Sequence, residues 1–148
     1  MKKPMPEQEE RQWATGVHLA HIAGYIIFFI PFFGLAATFG LWYWRKEDSD
    51  FFNDQGKEAL NFQITISLAL LAITFLTVIT TGMWSVGSLV ILGANDYVYG
   101  TGLYQIALMW NILRYLVNLF NIVFSIIAAV QASKGIRYRY PINLRLVK

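Results

Sequence analysis

The sequence predicts an all-α integral membrane protein: a helical bundle with a broken or hairpin first region followed by two long transmembrane helices. Three observations lead there. The 148 residues are 56% hydrophobic and only 14% charged, whereas soluble domains carry about 25% charged residues; the chain lacks the polar side chains to cover a globule in water. Its apolar residues gather in three stretches, 14–44, 61–83 and 103–133, whose only Asp, Glu, Lys or Arg is Arg114. None of the three alternates as a membrane-barrel strand does, and a helix satisfies its own backbone in lipid.

A chain of this length reads as one domain. Residues 1–12 form a polar N-terminal tail, 13–133 the helical membrane domain, and 134–148 a basic cytoplasmic tail. The second stretch is the cleanest span. Its Thr65, Ser67, Thr74 and Thr77 can bond back to helix carbonyls, and good helix formers from Gln55 to Asn61 extend it toward the connector, which puts Lys57, Glu58 and Asn61 at the water interface. The third stretch, about 31 residues or roughly 46 Å as a helix, exceeds about 30 Å of hydrocarbon and must protrude or tilt. In the first stretch, Pro31 removes a backbone donor and clashes with the preceding turn, and Gly34 follows. That leaves one kinked span, a hairpin that dips and returns, or two short tilted crossings.

Charge chooses among them. Lys and Arg near span ends mark the cytoplasmic side. The tail carries Lys134, Arg137, Arg139, Arg145 and Lys148, the connector carries Arg45, Lys46 and Lys57, and residues 84–102 carry none. The tail and connector are therefore inside and residues 84–102 form an outer segment. Lys2, Lys3 and Arg11 place the N-terminus inside too, which requires the first stretch to return to its starting side and favours a helix–break–helix hairpin around Phe29 to Gly34. The kinked span, with the N-terminus outside, is the alternative. Glu7, Glu9, Glu10 and Arg11 interrupt what would otherwise resemble a signal-peptide n-region, so the N-terminus is expected to be retained.

Candidates for chemistry are few. The chain has no cysteine, which excludes thiolate catalysis and Cys-based zinc sites. His18 and His21 lie three apart on one helix face; they suit a metal or proton site, or, more commonly, hydrogen bonds to a neighbouring helix. Arg114 is costly in mid-bilayer and a functional candidate there; nearer the outer interface it can snorkel, with Asp96 as partner. Asn111, Arg114, Asn118 and Asn121 form a polar stripe that either lines an aqueous path or glues helices together, glue being the commoner use. Trp13, Trp42, Tyr43, Trp44, Trp84 and Trp110 sit near span ends as an aromatic belt. The run Arg137-Tyr138-Arg139-Tyr140 interleaves charge with rings as nucleic-acid binders do, but directly after a span it suits lipid headgroups. No phosphate-cradling loop, His–Glu metal motif or activated nucleophile is evident, so no cofactor, metal or nucleic-acid partner is expected.

Three segments together resemble a family: His18-Leu-Ala-His21-Ile-Ala-Gly24 with the Pro31 break and the exit from Trp42 to Lys46; Asn53-Asp-Gln-Gly-Lys-Glu-Ala-Leu-Asn-Phe-Gln63; and Ala128-Ala-Val-Gln-Ala-Ser-Lys-Gly135 followed by Tyr138-Arg-Tyr-Pro141. The combination resembles small bacterial membrane proteins grouped with the Tic-type component of the chloroplast inner-envelope import channel. The resemblance implies four helices, both termini on one side of a bacterial inner membrane, no catalytic residues, and helix-contact roles for His18, His21, Gln55, Lys57, Asn61, Gln63, Tyr138, Tyr140 and Pro141. The expected function is that of a non-enzymatic subunit or adaptor whose partners are the lipid bilayer and other membrane proteins or further copies of itself. The alternative is a small channel or transporter, built on the broken first region and the Asn/Arg stripe; the apolar break from Phe28 to Phe33 argues against an ion site there.

Overall fold

A computed structural model describes residues 5–28, 33–91 and 96–148. They form four helices, α1 (Glu7–Phe28), α2 (Phe33–Arg45), α3 (Asp50–Ile91) and α4 (Asp96–Ser133), with no strand among the described residues. The all-α reading holds, and so does the hairpin. At one end of the α1–α2 pair the Met5 N–H donates to the Asp48 carbonyl at 3.3 Å and Arg45 bonds Glu9 at 3.2 Å. At the other end the two helices pass so closely that a Cβ on Gly24 would lie 3.0 Å from the Gly34 Cα. Helices that meet at both ends in this way run antiparallel, which a single kinked span cannot do. Pro31 lies outside the described residues.

Local chemistry accounts for the helix ends. Glu7, Glu9 and Glu10 occupy the first turn of α1, where carboxylates complement the helix dipole. Ser49 caps α3, its Oγ accepting the Phe52 N–H at 3.1 Å. α4 stops at Gly135, whose φ of 76° is left-handed; the Ile136 N–H turns back to the Gln131 carbonyl at 3.0 Å, the glycine stop that satisfies orphan carbonyls. Beyond it the chain is an irregular strap to Lys148.

α3 is 42 residues long, about 63 Å. It begins earlier than the sequence suggests and continues through Gly82 and Gly87. The expected outer segment, residues 84–102, is therefore largely helical among the described residues. Each glycine costs a helix only about 1 kcal/mol relative to alanine, too little to end one that packs along its length on a neighbour.

The chain divides into two compact units, Met1–Ser67 with Phe120–Lys148, and Leu68–Leu119. In the first unit, Ala14, Val17, Trp42, Phe52, Ala59, Leu60 and Ala132 make the core. The alanines let helix backbones approach closely. At its margin, Arg45 stacks 4.5 Å over Trp13 and 5.4 Å over Trp44.

The second unit is an antiparallel helix pair. Trp84 donates to the Tyr99 carbonyl at 3.1 Å and Trp110 to the Thr80 hydroxyl at 2.9 Å. Thr74 and Thr77 bond back to the Leu70 and Ile73 carbonyls, at 2.8 and 2.7 Å, as the sequence predicts. Its outer surface is apolar: Phe75 is 65% exposed, Met83 70% and Ile91 81%. A protein in water does not leave such a continuous surface uncovered. α3 and residues 98–133 of α4 are each long and apolar enough to cross a membrane. Together these features describe a membrane protein.

Candidate functional site

Polar residues concentrate on one face of the N-terminal part of α3. Asp54, Gln55, Glu58, Asn61 and Thr65 follow helical spacing, and the strap lies along them. Its backbone amides donate in succession to their side chains: Tyr138 to Gln55 Oε1 at 3.0 Å, Tyr140 to Glu58 Oε1 at 2.9 Å, Leu144 to Thr65 Oγ1 at 3.1 Å and Val147 to Asn61 Oδ1 at 2.7 Å. Asn61 returns a bond from Nδ2 to the Val147 carbonyl at 2.9 Å. An irregular segment has no ladder to satisfy its amides, and here helix side chains take that part. Pro141, exposed in a bend, falls where no donor is used.

Arg139 clamps the strap from outside. Nη2 bonds Asp54 at 2.7 Å and Nη1 bonds Glu58 at 3.3 Å. The Asp54 hydrogen bond, ahead of the other acidic contacts, raises the already high Arg139 pKa, so the cation is permanent. Tyr140 is buried and stacks on Phe62, ring centroids 3.8 Å apart. Burial pushes its phenol pKa far above the ordinary value, and that of Tyr138 moves the same way for the same reason.

His18 ties α1 to this cluster. Its Nδ1 lies 3.0 Å from the Tyr140 hydroxyl and its Nε2 3.2 Å from Gln55 Oε1. Gln55 Oε1 already accepts from Tyr138, and its Nε2 donates to Asp54 at 3.0 Å, so the oxygen faces His18. The proton therefore resides on His18 Nε2, and Nδ1 accepts from Tyr140. With both nitrogens engaged, no lone pair is left for a metal. His21 does not join it: its buried Nδ1, packed against Gly34, has no hydrogen-bond partner.

Gln63 and Asn121 make a second polar contact. Their side-chain amides exchange bonds of 3.0 and 3.3 Å, and Ser125 adds a donor to Asn121 Oδ1 at 3.3 Å. The expected stripe on α4 is thus divided. Asn111 and Asn118 bond back to the Ala107 and Arg114 carbonyls of their own helix, both at 2.8 Å. Arg114 reaches the Thr74 and Thr77 hydroxyls at 3.4 Å each. The side chain of Asp96, the expected partner, lies outside the described residues.

The structure brings His18, Gln55, Asn61, Tyr138 and Tyr140 into one cluster and pairs Gln63 separately. Lys57 borders the cluster and has no ion pair among the described residues. Glu58 and Thr65 are anchors that the sequence reading left at the interface or on the helix itself; their signal was their place on the polar face of α3.

Residues 9–147 match the MamF/MmsF magnetosome magnetite crystal formation protein family. No curated protein and no solved structure matches the chain. The family match corrects the resemblance to the Tic-type import component. The segments behind that resemblance carry helix packing and strap docking, and such contacts identify a way of folding, not an activity. With nearly the whole chain covered, this four-helix membrane protein belongs to the MamF/MmsF magnetosome magnetite crystal formation family.

Proposed function

We propose that the chain is a non-enzymatic membrane subunit or adaptor that serves magnetite crystal formation through contact, holding copies of itself or other membrane proteins together in the magnetosome membrane. The carrying observation is the way its central polar groups are used. His18 has both ring nitrogens bonded, Glu58 has both carboxylate oxygens bonded, and Gln55 bridges α1 to the strap. Groups held in this way fasten a fold, and His18, with both nitrogens bonded, keeps no free lone pair to act as a general base or a metal ligand. Arg114, bonded to two threonine hydroxyls of the opposing helix, favours helix gluing over a conducting path. The strap and the N-terminal tail face the cytoplasm, as the distribution of Lys and Arg directs.

The test is the size and content of the particle extracted from magnetite-forming cells in mild detergent with the full chain tagged. The reading expects an assembly larger than one chain, holding further copies or other membrane proteins. A monodisperse single chain without partners overturns it.

A further inference from the structure

The strap and α3 enclose a cleft of about 480 Å³, and its charges do not balance. Asp54 and Glu58 line it, but both carboxylates are held by Arg139, and Glu58 also accepts the Tyr140 amide. Lys57, Arg145 and Lys148 line it as well, and none of the three side chains has an acidic partner among the described residues. A carboxylate on Lys148 would offset one of these charges and still leave the lining positive.

Two further observations give the cleft an orientation. Arg145 has a φ of 42°, the one left-handed non-glycine residue among those described, and its N–H is held at 3.3 Å by Asn143 Oδ1. Such a backbone is cheap for glycine and strained for arginine, and residues held in strained backbone cluster at functional sites, ligand clamps among them. Next to the cleft residues Arg145, Val147 and Lys148, the strap leaves Ile142, Leu144 and Leu146 exposed. A cationic hollow beside an apolar ridge matches a lipid, with a phosphate in the hollow and acyl chains along the ridge.

We infer that this cleft binds the phosphate headgroup of an anionic phospholipid through Lys57, Arg145 and Lys148, with Ile142, Leu144 and Leu146 against its acyl chains. Free phosphate has the same anionic chemistry, but nothing in it would use the ridge. The inference needs the chain to be in a membrane; it does not need the assembly role proposed above, so either can fail without the other.

Native mass spectrometry of the full chain in mild detergent tests it, with equal amounts of phosphatidylglycerol and phosphatidylcholine of matched acyl chains. Basic residues clustered at a surface favour anionic lipid by roughly tenfold or more, and that excess of phosphatidylglycerol adduct is expected. The combined variant Lys57→Gln/Arg145→Gln/Lys148→Gln should bring the two lipids to parity. A charge-matched control, Lys46→Gln/Lys134→Gln/Arg137→Gln, should keep the preference. Protease resistance of the strap checks that each variant folds. Parity in the unaltered protein, equal loss in the control, or displacement of the lipid by millimolar inorganic phosphate overturns the inference.

Discussion

His18 accepts a hydrogen bond from Tyr140 and donates one to Gln55, so each of the three side chains fixes the orientation of the others. Tyr140→Phe keeps the ring on Phe62 but leaves Nδ1 without its donor. An unpaired buried acceptor costs about 1–3 kcal/mol, and thermal unfolding in detergent should show a loss of that size. The same residue sets a dependence on alkaline pH. Folded Tyr140 keeps its proton well above the ordinary phenol pKa, while the unfolded chain releases it near pH 10. Above that pH the folded state binds more protons, so stability falls as pH rises, by up to about 1.4 kcal/mol per unit. Tyr140→Phe should flatten most of the slope between about pH 9 and about pH 11, with Tyr138 supplying a smaller part. A slope unchanged in the variant would show that Tyr140 is not its source.

At the scale of the elements, the Gln63–Asn121 amide pair and the strap add polar contacts to the apolar core that packs α3 on its neighbours in the first unit. Asn121→Leu strands the Gln63 amide and should destabilise by about 2 kcal/mol. Adding Gln63→Leu removes the stranded group and should restore much of the loss, because paired polar groups replaced together leave nothing unsatisfied. Unfolding of the two single variants and the double gives the cycle; strict additivity would rule out the pairing. Of these elements, the sequence made legible the long apolar helices and the hairpin, since hydropathy and the Lys/Arg distribution act over many residues at once. From the residues themselves it offered His18 as a hydrogen bond to a neighbouring helix; Gln55, Asn61 and Tyr140 were expected as contacts only through the resemblance that the family match corrects. It did not reveal the strap. Irregular chain has no periodicity to read, and amides that bond helix side chains leave no pattern in their own residue types. Nor did it show that Asn118 turns back onto its own helix while Asn121 crosses to another; the two occupy one stripe, and only the packed partner distinguishes them.

For the whole molecule, the exposed apolar surface and the family match make the chain a membrane protein. That it crosses the membrane through α3 and α4, with the α1–α2 connector and the strap on one side, is the proposal. The chain contains no cysteine, so single cysteines report position without background. Glu47 and Lys134 are exposed, and Gly100 has open space around its Cα. The decisive measurement is labelling of Glu47→Cys, Lys134→Cys and Gly100→Cys by a membrane-impermeant thiol reagent in sealed vesicles of known orientation. The account predicts that the first two react only from the cytoplasmic face and the third only from the opposite face. Reaction of all three from one face would contradict it.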